Sequence, residues 1–341
     1  MKTLLLTGAT GLLGSNLLTH LLKEDFNIYA VKRPGSDTRL CPQSNQITWI
    51  TTDNLSVKFL TDLECPIDYI VHAAGLVSYQ QKDKEKLFQV NHQFTKKLAG
   101  EALKLNVKKF LLVSSISAIG KKADSPLITE DTPWDETQFS SNYGRSKRAS
   151  ENAVKELGEK GLPWIIINPS VIIGPARPDQ SSARLIGYVA DKKPFYTEGL
   201  LNYVDVDDVS GIIIKALKSD FIHHQWILNG GTVTYKHFFT KVAEYLNTKP
   251  PKYKIPKAGV MAGAFLENLY SKITGKRSTL SMETAKMAGN SSIYSADKLK
   301  SELETQFTPL TDSIKKAVDT MKINGLLKTI FFLASLVDFS V

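Results

Sequence analysis

Tyr143 and Lys147 stand four residues apart in Asn142-Tyr143-Gly144-Arg145-Ser146-Lys147, so on a helix both project from one face. A tyrosine, with an ordinary pKa of about 10, is a poor base at neutral pH. An ammonium group beside it favours the phenolate and lowers that value. Such a tyrosine can pass a proton to or from a substrate oxygen. On an exposed face the same pair would be two surface residues and nothing more, so other groups must converge with it. Ser114-Ser115-Ile116-Ser117 supplies three hydroxyls at the end of an apolar strand, either as turn residues or at the edge of a cleft.

A second group of residues has the chemistry of a phosphate cradle. Leu4 to Leu6 form a short apolar strand that runs into Gly8-Ala9-Thr10-Gly11-Leu12-Leu13-Gly14, and Ser15 to Lys23 read as a helix. Gly8 permits a tight turn, Gly11 lets the backbone approach a pyrophosphate, and Gly14 lets the helix pack closely on the strand. The helix N-terminus then offers free N–H groups and a partial positive charge. Gly8, Thr10, Gly11, Leu12, Leu13 and Gly14 are therefore candidate dinucleotide-binding residues. With a nicotinamide in the cleft, its cationic ring would further lower the pKa of Tyr143, and Lys147 could reach its ribose.

The second strand, Asn27 to Val31, ends in Lys32-Arg33-Pro34-Gly35-Ser36 rather than in the carboxylate that would hold the ribose hydroxyl of NAD. Two cations and a hydroxyl suit the 2′-phosphate of NADP, and a solvated basic turn is the alternative. Asp53, after a strand from Trp49 to Thr52, is placed to accept from an adenine amino group. Asp68 to His72 is the next strand. Ala73, Ala74 and Gly75 at its end are small enough to leave room for a ligand. Leu87 to Leu105 read as one helix, on which Asn91 is either buried and bonded to backbone or simply exposed.

These groups need a frame of alternating strands and helices. Strands at Phe110 to Val113 and Trp164 to Asn168 continue the alternation, which stops near Pro169. A further strand and helix surround Tyr203 to Val209, where Asp205, Asp207 and Asp208 fit helix capping better than catalysis or metal binding. Trp226 to Asn229 is a strand, Tyr235 to Leu246 an amphipathic helix and Pro250 to Pro256 a linker. The expectation is an α/β fold: a doubly wound parallel sheet over residues 1–168, a smaller C-terminal α/β substrate domain over 169–324, and an apolar tail over 325–341.

At 341 residues the chain has room for both. A net charge of +9 from scattered lysines argues against nucleic-acid binding and fits phosphorylated ligands. Cys41 and Cys65, the only cysteines, have no metal-ligand spacing, so no metal is expected. Gly8 cuts the N-terminal apolar run too short for a signal peptide, and a cytoplasmic protein is expected. The tail admits three readings: packing on the body or on a second subunit, peripheral membrane contact, and a span.

Taken together, the ordered set of motifs resembles the extended short-chain dehydrogenase/reductase family, the NAD-dependent epimerases and dehydratases, over nearly the whole chain. The carriers are Thr7 to Gly14, His72 to Gly75, Asn91 with Thr95, Ser114 to Gly120, Tyr143 to Lys147, Asn168-Pro169-Ser170 with Gly174-Pro175, and Tyr203 to Asp208. The resemblance implies that Tyr143 is the acid/base, Lys147 its partner and Ser115 the hydrogen-bond donor to the reacting oxygen. It matches Arg33 to the 2′-phosphate contact and Asp53 to the adenine contact. Pro169 and Ser170 match the segment along the nicotinamide, with Asn91 among the cofactor residues. Ser78, within Leu76 to Tyr79, and Ser117 fall where the family lines its substrate pocket.

Ile116-Ser117 stands where dehydratases of this family carry an Asp-Glu pair, which argues against elimination. The basic turn and Asn168-Pro169-Ser170 favour the dihydroflavonol reductase and 3β-hydroxysteroid dehydrogenase branch: reversible hydride transfer between NADP(H), or NAD(H), and a secondary alcohol or carbonyl of a small molecule. A nucleotide-sugar epimerase with tightly bound NAD is the second reading. A non-catalytic NADP-binding scaffold or sensor is the third, set back by the intact Ser115, Tyr143 and Lys147. The resemblance also implies a homodimer.

Overall fold

The computed structural model describes residues 1–52, 55–60, 63, 65–121, 127–135, 140–178, 182–274 and 281–327. Lys2–Thr7 (β1), Phe26–Lys32 (β2), Ile47–Thr51 (β3), Tyr69–His72 (β4) and Lys109–Val113 (β5) alternate with Leu12–Leu21 (α1), Lys84–Leu87 (α2) and Phe94–Lys104 (α3). Leu127–Ile128 (β6) is a short bridge, followed by Asn142–Gly158 (α4) and Trp164–Pro169 (β7). Beyond it come Val171–Ile173 (β8), Ala183–Ala190 (α5), Phe195–Thr197 (β9), Leu200–Asp205 (β10), Val206–Lys218 (α6), His224–Leu228 (β11) and Gly231–Thr234 (β12). Tyr235–Leu246 (α7), Tyr253–Ile255 (β13), Lys257–Thr274 (α8), Met282–Met287 (α9), Ile293–Tyr294 (β14), Asp297–Leu303 (α10) and Leu310–Ile323 (α11) complete it.

Seven strands form one sheet in the order β11-β7-β5-β4-β1-β2-β3, every pair parallel. The continuous apolar strands follow from this. Parallel strands covered by helices on both faces have no side to give to water. In β1, Leu4 and Leu6 enter a core with Leu17 of α1 and Ile212 and Ile213 of α6, while Leu5 enters the opposite core with Leu98 of α3 and Val154 of α4. Ile165 and Ile167 divide from Ile166 in the same way on β7. Each fully buried leucine or isoleucine contributes about 2 kcal/mol. The expected doubly wound sheet is what the chain forms.

Three features depart from the sequence reading. The sheet does not end at residue 168. β11, from the segment assigned to the second domain, pairs with β7 from His224 opposite Ile165 to Leu228 opposite Pro169, and α6 packs on α1. Burial on both faces, with Trp226, Ile227 and Leu228 fully enclosed, draws this strand into the large sheet. The stretch from Pro250 to Pro256 is not only a linker, because β13 pairs with β9 and the Phe195 and Tyr253 rings lie 6.1 Å apart. The helix expected from Leu87 to Leu105 is interrupted by a π-helical turn, Phe88–Gln93, which carries Asn91.

The smaller sheet, β12-β10-β8, leans on α11 and α7. Asp205 caps α6 by accepting from the Asp207 N–H at 2.8 Å. Asp207 accepts from Asn16 and His20 of α1 and from Lys316 of α11, so these carboxylates join helices. Of the apolar tail, Leu327 is buried and the Leu326 N–H closes on Met321; residues 328–341 lie outside the described residues. Among the described residues no helix is long and apolar enough to cross a membrane, and no cluster of His, Cys, Asp or Glu could hold a metal ion.

Candidate active site

The carboxyl ends of β1, β4, β5 and β7 converge on one crevice. Gly8 has φ +74°, a conformation that favours glycine. Helix α1 begins at Leu12, three residues before the expected Ser15, because Gly11 is extended and takes the cap position without a side chain. Ser15 N–H already bonds Gly11 O at 2.9 Å and Gly11 N–H bonds Gly8 O, so the N–H groups of Leu12, Leu13 and Gly14 are the free donors of the first turn. Leu12 and Leu13 can therefore serve only through their backbone, since their side chains lie in the core. A Cβ on Gly14 would stand 2.1 Å from Gly8 O, and one on Gly8 would stand 2.6 Å from Ala74 N. Only bare backbone allows the strand, the turn and the Ala73-Ala74 floor to meet here.

That floor is tied to the rest of the site by a buried chain of hydrogen bonds. Ala74 N–H donates to Thr7 Oγ1 at 3.3 Å, Thr7 Oγ1 lies 2.6 Å from His72 Nδ1, and His72 Nε2 lies 2.8 Å from Thr95 Oγ1. The Thr95 hydroxyl donates to Asn91 O. With the Thr95 proton so engaged, His72 Nε2 must be the donor and Nδ1 the acceptor from Thr7. Burial keeps this imidazole neutral, pushing its pKa down to about 3, with the Lys147 charge acting the same way. In the π-turn the Asn91 side chain, 1% exposed, accepts from Leu76 N–H at 2.7 Å and donates to Leu76 O and to Ser146 Oγ, both at 2.9 Å. Asn91 is thus the buried alternative, and it holds the loop after β4.

Ser115, Tyr143 and Lys147 come together as the sequence predicts. Ser141 caps α4 by accepting from the Gly144 N–H at 3.0 Å, which sets the helix start and aims Tyr143 at the crevice. The Ser115 side chain lies near enough to the Tyr143 phenol to lower its pKa, and its Oγ accepts from the Ser117 N–H at 3.1 Å. Lys147 Nζ donates to Val113 O at 2.8 Å, and a Cβ on Gly75 would lie 3.3 Å from that nitrogen. Tyr79 packs edge-on against Tyr143 with ring centroids 6.0 Å apart.

The electrostatics differ from the sequence expectation. Tyr143 and Lys147 are 8% and 5% exposed, so desolvation is the leading influence on both. Burial pushes the Tyr143 phenol up, against the lowering by Ser115. Burial brings Lys147 down to about 8, against the raising influence of Glu151. At neutral pH the site therefore holds a protonated phenol and a charged ammonium on one helix.

The remaining candidates fall in several places. Lys32 Nζ sits 5.0 Å from the Trp49 ring centroid, and Arg33 is exposed, its backbone N–H donating to Ser36 Oγ at 3.2 Å. Pro169 ends β7, and Ser170 is buried with its hydroxyl unpartnered among the described residues. A glycine cradle with free N–H groups after β1 and an orphaned buried hydroxyl after β7 fit a dinucleotide phosphate and nicotinamide. Asp53 lies outside the described residues. Ser117 lines a cavity of about 70 Å³ with Ile116, Ile119, Lys121, Trp134 and Tyr294. Ser78 does not line it: its hydroxyl donates to Asp83 at 2.6 Å and accepts from the Gln80 N–H, which makes it a turn residue. Sequence reasoning missed Glu151 and Gln225, both buried polar residues whose partners are distant in the chain.

The model of the NAD dependent epimerase/dehydratase family matches residues 4–229. A putative dihydroflavonol 4-reductase of Synechocystis sp. is 25% identical over 329 residues, 95% of each chain. The crystal structure of gox2253 superposes with a TM-score of 0.82 at 28% identity, covering 96% of this chain and 100% of that one. UDP-glucuronic acid 4-epimerase from Bacillus cereus, solved with NAD, shares the fold with a TM-score of 0.71 at 20% identity over 94% of this chain and 99% of its own.

Proposed function

The chain belongs to the NAD dependent epimerase/dehydratase family, and we propose that within it the protein is an NADP(H)-dependent reductase interconverting a carbonyl and a secondary alcohol on a small molecule. It is an NAD(P)-dependent enzyme acting on CH–OH groups. The observation that carries the finer reading is the protonated, buried Tyr143 with Ser115 on its phenol and charged Lys147 one turn away. The bound nicotinamide supplies the hydride. Tyr143 donates its proton to the carbonyl oxygen as that oxygen gains charge. Ser115, whose oxygen accepts from Ser117, turns its one proton from the phenol to the same substrate oxygen when the substrate is bound. Lys147 holds positive charge beside the phenol as it loses its proton.

NADP preference is read from Lys32 and Arg33 at the end of β2, and a homodimer is proposed from the family resemblance. The epimerase is kept as a second reading because an NAD-bound epimerase has the same fold. Titration of purified protein with NADPH and NADH, followed by nicotinamide fluorescence, separates the two. A protein that arrives empty, binds NADPH more tightly and loses that preference in Arg33→Ala supports the reductase. A protein that arrives with NAD bound supports the epimerase.

A further inference from the structure

Behind Ser115 lies a buried polar cluster with no place in the reaction just described. Glu151 on α4, Asn168 on β7 and Gln225 on β11 are 0%, 0% and 8% exposed. Asn168 Nδ2 donates to Glu151 Oε1 at 2.6 Å and to the Ser115 carbonyl at 2.8 Å. Gln225 Nε2 donates to Asn168 Oδ1 at 2.8 Å and to Glu151 Oε2 at 3.3 Å, while Gln225 Oε1 accepts from Lys155 Nζ at 2.7 Å. Arg148 Nη1 stands 3.7 Å from Glu151 Oε2.

The amide orientations are dictated by the partners. Asn168 faces a carboxylate and a carbonyl on one side, both acceptors only, so its nitrogen must point there. Gln225 faces an ammonium, so its oxygen must point at Lys155. The arrangement is saturated, and Asn168 cannot turn without leaving a buried acceptor unpaired, which carries a large penalty in a low-dielectric interior. A bare apolar contact would fill this space more cheaply. What the polar cluster adds is direction, delivered at one atom, the carbonyl of Ser115.

We propose that Asn168, locked by Glu151 and Gln225, is a positioning residue that fixes the main chain of Ser115 and so aims the Ser115 hydroxyl at the Tyr143 phenol. The Ser115 backbone is extended, with φ −164° and ψ 151°, and its carbonyl is held from two sides, by Asn168 Nδ2 and by the Ala118 N–H at 2.9 Å. Its Oγ is held by the Ser117 N–H. Releasing the Asn168 bond leaves the Ser115 carbonyl held from one side only, by the Ala118 N–H, and loosens the aim of the hydroxyl at the phenol. The proposal rests on reading Ser115 and Tyr143 as the reacting pair, but its test needs no substrate.

Tyr143 is replaced by 3-fluorotyrosine and its ionisation followed by fluorine NMR in the full-length protein. The titratable and charged groups around this phenol are Tyr79, packed on its edge, Tyr235 and Glu283 acting on the Tyr79 ring, Glu283 also accepting from Asn142, and Lys147 on the same helix; none of the variants alters any of them. Ser115 lowers the phenol pKa, so Ser115→Ala raises it. Asn168→Ala is expected to raise it in the same direction, and Ser115→Ala/Asn168→Ala to match Ser115→Ala alone, because Asn168 acts only through Ser115. Asn168→Ser, too short to keep both acceptors, replaces the alanine variant if that one does not fold and is read identically. A phenol titration unmoved by either Asn168 variant, or a double variant shifted beyond Ser115→Ala, overturns the proposal. Absence of carbonyl reduction would overturn the reductase reading and leave this titration readable.

Discussion

Lys147→Met should make the protein more stable while disabling its chemistry. Buried Lys147 has its pKa brought from an ordinary 10.5 to about 8. That gap corresponds to about 3 kcal/mol by which the folded state disfavours the charged form. Below about pH 8 both folded and unfolded chains carry the proton, so the whole penalty is present at neutral pH. Between about 8 and 10.5 the unfolded chain binds more protons than the folded one, so wild-type stability rises with pH and the penalty fades. Methionine removes the charge but also the bond to Val113 O, worth about 1 kcal/mol. The net gain near neutral pH is about 2 kcal/mol, which for a chain of this length is a rise of about 3 °C in Tm. Calorimetry on the cofactor-free protein at about pH 7 and about pH 10 reads it directly, with the advantage of the variant shrinking or reversing at the higher pH. A variant that melts lower than wild type at neutral pH, or a difference that is flat between the two pH values, would refute the reasoning.

Other perturbations follow from the same geometry. Gly14→Ala drives a Cβ to within 2.1 Å of Gly8 O, so α1 must shift off the turn; NADPH affinity by fluorescence titration should fall at least about tenfold, and an unchanged Kd would count against the cradle. Tyr143→Phe should lower the turnover of any carbonyl substrate found for the wild type at least about a hundredfold while Kd for NADPH stays within about twofold. His72 stays neutral in the fold down to about pH 3, whereas the unfolded chain takes a proton below about 6.5, so stability falls on acidification through that window. Denaturant midpoints for His72→Gln should accordingly fall less steeply with decreasing pH than those of the wild type.

The parts of the site legible in the sequence are those whose constraint is local. A glycine that must lie against backbone shows itself as a glycine, and Gly8, Gly11 and Gly14 sit where a strand meets a helix. Tyr143 and Lys147 are fixed by helical spacing alone. The charge state was not legible, because it depends on burial that no spacing reveals: Tyr143 is pushed up rather than down. The π-turn at Asn91 was hidden, since the chain stays helical through it and the change lies in backbone pairing that side-chain spacing does not display. Ser78 was assigned by place in the chain, and its bond to Asp83 was not legible there. Glu151, Asn168 and Gln225 gave no joint signal because they meet only once three elements have packed.

The late arrival of β11 also bears on how the chain is made. When synthesis has reached Pro169, β7 has β5 on one side and nothing on the other. Its Ile165, Ile166 and Ile167 then border a flat, uncharged and unpaired edge, the kind that recruits other strands. Protection comes only when His224 to Leu228 emerge and dock, and the same event brings Gln225 to Asn168. The nucleotide-binding half is therefore not a self-sufficient module. A fragment ending at residue 168 is expected to associate through that edge, and sedimentation of the fragment beside the whole chain would show it.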